Sequence, residues 1–341
     1  MSLYTKCLLC PRRCGVDREA GQTGFCGETS ALRLAFAGIH YGEEPPVTGK
    51  GGSGAIFVSG CNLGCAFCQN YQISKPAKNN IPLGKTVNND EFSEICMILQ
   101  AHGAENINII TGSHAAPALA LGIKEARKRG LSIPVLWNSS GYEGEETLEV
   151  LKDFVNVYLP DLKTLDKDIS AMFFNAPDYP EHAARAILKM MEHTDLFLRP
   201  GRDTPRHLPL QPAITNVVQE VIISGVIIRH LVIPGFLENS RQVFSWFKEN
   251  CSGNALLSVM TQYTPVSDEK QIPLRYVSEE EYEAVLNMLE EYKIDDGFCQ
   301  ELLTGSDWLP DFNRPNPFSS DLSMPVWHFL SPAISRKQDK P

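Results

Sequence analysis

Cys61, Cys65 and Cys68 stand in the stretch Cys61-Asn62-Leu63-Gly64-Cys65-Ala66-Phe67-Cys68, three thiols spaced C-x3-C-x2-C with an aromatic before the last. A closed tetrahedral zinc site takes four ligands, and no fourth lies nearby. Three local thiolates instead suit a [4Fe–4S] cluster with one iron free of protein ligands. An iron with an open position can bind a substrate or cofactor, so the trio points to catalysis rather than architecture.

A second set, Cys7, Cys10, Cys14 and Cys26, is spaced C-x2-C-x3-C-x11-C and makes a complete ligand set. Pro11, Gly15, Gly21, Gly24 and Gly27 lie among these cysteines, so the segment cannot build a hydrophobic core of its own. A bound metal would supply the missing stability. Zinc and a second iron–sulfur cluster are both compatible with four thiolates. The two sets read as separate sites.

The elements that must position these thiols alternate along the chain. Apolar, β-branched runs fall at 55–59, 106–110, 133–137, 154–159, 226–233 and 255–260, with helical stretches near 90–102, 117–129, 145–152, 181–192 and 239–248. Strand–helix alternation with mostly apolar strands predicts a parallel sheet covered by helices. Six such strands suit a partial (β/α)6 barrel. The cysteine loop follows the first strand, which puts it at the C-terminal edge of the sheet, where α/β active sites are built. The sequence divides into a Cys-rich metal-binding segment (1–48), the barrel (49–276), and a C-terminal helix with a packing tail (277–341). Gly49 to Gly54 lacks the Gly-Lys-Ser/Thr ending of a phosphate loop and reads as a flexible entry into the first strand. Residues 199–225 read as an inserted loop with a short helix. The tail 308–329 shows no helical or strand period, and its Trp308, Phe312, Phe318 and Trp327 are expected to pack it across the barrel.

A net charge of −10 argues against a nucleic-acid partner held by phosphate contacts. The most apolar stretch, 217–236, is interrupted by Glu220, Arg229 and His230, so it reads as buried helix and strand and no membrane span is expected. Met1 to Lys6 shows no apolar core of a signal peptide. Seven of the ten cysteines fall in the first 68 residues. That clustering fits metal binding in a reducing cytoplasm better than disulfides.

Further pieces carry a resemblance. They include Cys10-Pro11-Arg12-Arg13-Cys14, Gly24-Phe25-Cys26, Ser59-Gly60-Cys61-Asn62-Leu63, Asn138-Ser139-Ser140-Gly141-Tyr142-Glu143, Asp161-Leu162-Lys163, Arg229-His230-Leu231-Val232-Ile233-Pro234-Gly235 and Pro325-Val326-Trp327-His328. Together with the cysteine loop they resemble the radical S-adenosylmethionine (SAM) proteins of the pyruvate formate-lyase activating enzyme-like family, related to the AmmeMemoRadiSam radical SAM proteins. The resemblance covers nearly the whole chain except about 199–224.

It implies that Cys61, Cys65 and Cys68 hold a [4Fe–4S] cluster. The open iron would chelate SAM, which is cleaved reductively to a 5′-deoxyadenosyl radical. It implies that Phe67 sits beside the adenine. The backbone at Gly112 and Ser113 would meet the SAM amino group, although the glutamate of the relatives' Gly-Gly-Glu is replaced in Thr111-Gly112-Ser113-His114. Asn138 and Ser140 would hold the ribose and methionine end, Lys163 the SAM carboxylate, and Asp161 a monovalent cation. His114, Gln262, Tyr263 and one of the Arg229/His230 pair are further candidates, while Cys96 reads as core. The implied partners are a low-potential donor of the flavodoxin or ferredoxin kind and a glycyl-radical enzyme. Another protein or a small molecule as substrate, and a non-enzymatic iron–sulfur or zinc protein, are the alternatives.

Overall fold

A computed structural model describes residues 2–74, 83–200, 220–266, 272–306 and 309–331. The chain opens with the cysteine-bearing segment and then runs through β1 (Arg33–His40), α1 (Pro45–Thr48) and β2 (Ser53–Val58). After the cysteine loop come α2 (Tyr71–Ser74), β3 (Lys85–Thr86), α3 (Asn89–Ala101), β4 (Ile107–Ile110), α4 (Ala116–Lys128), β5 (Val135–Ser139), α5 (Glu145–Leu151) and β6 (Val157–Pro160). The second half holds α6 (Lys167–Phe174), α7 (Tyr179–His193), β7 (Phe197–Pro200), β8 (Glu220–Leu231), α8 (Leu237–Asn250), β9 (Leu256–Met260), α9 (Glu279–Glu291), β10 (Gly297–Cys299) and β11 (Ser323–His328).

The main sheet runs β10-β9-β8-β6-β5-β4-β2-β1-β11. From β10 to β2 every neighbouring pair is parallel. Helices between successive strands cover the outside, as expected of parallel crossovers. Local chemistry starts these helices well. Asn88 and Glu91 form a reciprocal capping box on α3, and Ser278 and Glu281 form another on α9. The result is the partial (β/α) barrel that the alternation predicts.

The barrel interior is layered. Its floor is apolar, with Leu136, Val157, Leu159, Ile227, Leu256 and Phe298 meeting Val47 of α1. The outer layer of helices encloses the larger core around Phe92, Leu119, Trp137 and Phe244.

Four expectations are corrected. First, β1 pairs antiparallel with β2, so the segment before residue 49 contributes a sheet strand as well as its cysteines. Second, the tail contains a strand, β11, which pairs antiparallel with β1. Pro325 within it and the register shift at Ala37/Gly38 hide its period. Third, the glycine patch is held rather than flexible, because a Cβ at Gly51 would lie 1.9 Å from the Gly103 carbonyl oxygen. Only a residue without a side chain allows that backbone approach. Fourth, the strand expected from 226 begins at Glu220 and forms a hairpin with β7. The rest of the expected insertion, and Trp308, lie outside the described residues. Phe312 and Phe318 do pack as expected, in a cluster with Phe36 and Phe57.

Candidate active site

The cysteine loop leaves β2 through Ser59 and Gly60. Gly60 has φ 84°, and a Cβ there would meet Glu28 Cγ at 2.6 Å and the Cys26 carbonyl oxygen at 2.9 Å. The chain turns sharply at this point against the N-terminal segment. Beyond it the loop is tied by the Ala66 N–H donating to the Phe173 carbonyl at 2.8 Å, and by Phe67 seated among Phe173, Phe174 and Tyr263 with ring centroids 5.5, 5.8 and 5.7 Å away. The Leu63 N–H approaches Cys61 Sγ at 3.4 Å, and the Ser74 hydroxyl donates to Cys68 Sγ at 3.4 Å. Such donors stabilise negative sulfur.

All three thiols line one cavity of about 260 Å³ at the C-terminal end of the parallel strands. Phe67, Asn138, Ser140, Asp161 and Lys163 line it as well, so the structure brings these predicted residues together with the cysteines. Tyr179 knits the far wall. Its hydroxyl lies 3.0 Å from the Ser140 carbonyl and 2.8 Å from the Asp161 carbonyl, and it accepts the Lys163 N–H at 3.0 Å. Lys163 Nζ stands 2.5 Å from Asp161 Oδ2. Burial alone would lower the lysine's pKa, but the Asp161 carboxylate, with Cys65 adding, raises it above the ordinary range. The ammonium therefore stays charged.

Gly112 and Ser113 fall differently. Neither lines the cavity, whereas Thr111 does. The Ser113 hydroxyl donates instead to buried Glu143 at 2.7 Å. His114 is also turned away. It is buried, its Nε2 is 2.7 Å from the Ser59 carbonyl, and burial pushes its pKa down to about 3, so it serves as a neutral structural brace. Gln262 lines the cavity, while the Tyr263 hydroxyl bonds the Pro273 carbonyl. Cys96 is core, as expected.

Of the β8 pair, Arg229 faces the interior and His230 faces α8, where it meets Ser240 at 2.9 Å. Arg229 makes a buried triad that the sequence reading does not contain. Its Nη2 lies 2.5 Å from both Glu43 Oε2 and Glu44 Oε2, its Nε donates to Glu44 Oε1 at 2.8 Å, and Asn108 Nδ2 donates to Glu43 Oε1 at 2.9 Å. No local pattern links Glu43 and Glu44 to Arg229, which they meet only in the folded barrel.

The N-terminal cysteines lie outside the cavity. Cys7, Cys14 and Cys26 are near enough to Cys10 for their charges to oppose its ionisation, and burial, the larger effect, pushes its pKa up to about 12. Among the described residues no group of three or more His, Cys, Asp or Glu stands at the spacing of a single metal ion. A cluster takes each thiolate on a separate iron. The cavity suits such a group. Burial raises the pKa of both Cys65 and Cys68, so their thiols would ionise on binding metal, with Lys163 as counter-charge near Cys65. Among the described residues the buried Ser140 hydroxyl has no hydrogen-bond partner.

An open-ended barrel with three thiols and a charged pair around one cavity defines a cluster-and-cofactor site. Residues 55–196 match the family model described as the Radical SAM superfamily. "Uncharacterized protein MJ0674" of Methanocaldococcus jannaschii is 30% identical over 305 residues, covering 86% of this chain and 77% of that protein. The chain and that protein belong to one family, and residues 55–196 of this chain form a Radical SAM domain. Solved structures with a remote likeness include Streptococcus suis SuiB bound to S-adenosylmethionine, at 12% identity and TM-score 0.46, covering 72% of this chain and 51% of that one. Methylornithine synthase (PylB) is 13% identical with TM-score 0.44, covering 82% and 75%. A domain of pyruvate-formate lyase-activating enzyme from Bacteroides vulgatus is 15% identical with TM-score 0.34, covering 54% and 90%. The chain spans about half the length of SuiB. Among the described residues no helix is long and apolar enough to cross a membrane.

Proposed function

We propose that this protein is an enzyme that cleaves SAM reductively in the cavity behind Cys61, Cys65 and Cys68, and uses the product to take a hydrogen atom from a substrate. The convergence of those thiols with Lys163, Asp161, Asn138 and Ser140 on one cavity carries the reading. The three cysteines would hold a [4Fe–4S] cluster. When bound, that cluster supplies the electron that breaks the sulfonium C–S bond of SAM.

The chain's own residues do the rest. Lys163, kept charged by Asp161, offers a point charge for the SAM carboxylate. Asn138 and Ser140 offer an amide and an unsatisfied hydroxyl to ribose oxygens. Phe67 gives an apolar wall beside the adenine. Phe57, Phe318 and Leu322 shield the opposite side from water. Thr111, which lines the cavity where Gly112 and Ser113 do not, offers its backbone there instead.

For the substrate we favour a glycine on a glycyl-radical enzyme, with another protein or a small molecule as the second reading. A low-potential flavodoxin- or ferredoxin-like donor would supply electrons, and the free thiols fit a reducing, cytoplasmic setting. Cys7, Cys10, Cys14 and Cys26 would hold zinc or a second cluster. The test is anaerobic reconstitution followed by SAM and dithionite. Formation of 5′-deoxyadenosine supports the reading, and its absence with an intact cluster favours a non-enzymatic electron-transfer protein. Deuterium passing from a labelled glycine of a candidate partner into 5′-deoxyadenosine would identify the glycyl-radical route.

A further inference from the structure

Arg12 lies between Cys10 and Cys14, and its guanidinium leaves the N-terminal segment altogether. Its Nε donates to the Asn62 carbonyl at 3.1 Å and its Nη2 to the Leu63 carbonyl at 3.1 Å. Both carbonyls belong to the loop between Cys61 and Cys65. On the other side Nη2 donates to the Phe174 carbonyl at 2.9 Å and Nη1 to the Asn175 carbonyl at 2.6 Å. These close the C-terminal end of α6, where a cation is favoured by the helix dipole. The guanidinium stacks over Phe25, 3.9 Å from its centroid and next in sequence to Cys26, with Tyr142 5.5 Å away.

Further ties fix the same junction. The Asn62 amide donates to the Tyr142 carbonyl at 2.6 Å, and the Leu9 carbonyl receives Thr147 Oγ1 at 2.6 Å and the Gly144 N–H at 3.2 Å. Arg18, buried beneath the segment, joins the Glu28, Thr29 and His114 carbonyls and reaches Cys7 Sγ at 3.7 Å. One residue bracketed by two cysteines of the first set thus holds the backbone between two cysteines of the second.

We propose that Arg12 is a positioning residue. From the turn between Cys10 and Cys14 it fixes the backbone between Cys61 and Cys65 for SAM binding. This rests on the radical SAM reading of the cavity. The Arg13 N–H donates to the Cys10 carbonyl at 2.9 Å and holds the turn that carries the guanidinium. A lysine could not replace it, because one ammonium cannot span four carbonyls in a planar fork.

The test uses the full chain, reconstituted anaerobically with iron and sulfide, as wild type, Arg12→Ala and Arg12→Lys. Iron content, far-ultraviolet circular dichroism, and the change in the electron paramagnetic resonance signal of the reduced cluster during a SAM titration are measured. Arg12→Ala is expected to keep a reducible cluster but to bind SAM about tenfold or more weakly, as for other residues that orient metal ligands from outside the first layer. Arg12→Lys should recover only part of this. Folded Arg12→Ala that binds SAM like wild type overturns the positioning role. If Arg12→Ala fails to fold, Arg12→Lys decides, and a folded Arg12→Lys that binds SAM like wild type overturns it. A wild-type signal unmoved by SAM would instead remove the radical SAM reading of the cavity.

Discussion

Lys163 and Asp161 face each other across 2.5 Å on the cavity wall, brought there by the last residues of β6 and pinned by the Tyr179 hydroxyl. The pair keeps a positive charge beside the three thiols, and the Lys163 side chain is only 14% exposed. Mutual support of this kind suits a group meant to meet an anionic end of a ligand.

Replacing Lys163 with Met should raise the SAM dissociation constant roughly tenfold or more, equivalent to at least about 1.4 kcal/mol. Iron content should not change, since Lys163 is no cluster ligand. A SAM titration followed by cluster spectroscopy, beside an iron assay, checks both halves.

Cys65→Ala should remove about four irons per chain and all 5′-deoxyadenosine formation. Cys96→Ala, in the α3 core, should keep both the iron and the activity. Equal loss in the two variants would show that thiol burial, rather than cluster ligation, governs iron binding.

Arg229→Met would strand the buried Glu43 and Glu44 carboxylates. Urea denaturation should register a loss of about 3–5 kcal/mol. Adding Glu43→Gln and Glu44→Gln should return most of it, because the deficit comes from uncompensated charge.

Glu281 accepts two Arg275 hydrogen bonds, at 2.6 and 2.7 Å, and the Gly235 N–H at 2.6 Å. Led by the bonds from Arg275, these hold its pKa down to about 2, below its ordinary value of 4.5. A carboxyl lowered by folding stabilises fully above its unfolded pKa, and the benefit fades as pH falls through the folded one. Glu281→Gln should therefore cost about 1–2 kcal/mol at pH 7 and almost nothing near pH 2. Parallel denaturant curves at several pH values measure the convergence.

The parallel strands and the cysteine loop were legible because the strands are mostly apolar and the loop directly follows one of them. β1 escaped notice because its run follows glycines and cysteines that suggest a coreless segment. β11 escaped because Pro325 and a bulge break its period. Asp161 and Lys163 were readable from a local motif. The Glu43–Glu44–Arg229 triad was not, since Arg229 lies more than 180 residues from the two glutamates and meets them only when the barrel closes. The Arg12 clamp belongs to the same class. Spacing alone made the two cysteine sets look independent, but the fold ties them together.

The sheet has β10 at one end and β11 at the other, so the ring is incomplete, and Pro310, Phe318 and Leu322 wall the side that would otherwise stand open. That wall comes from the stretch before β11, while the sulfur donors come from the loop after β2. Selectivity and radical chemistry can therefore diverge separately: a changed tail would admit a different guest to the same reactive chamber.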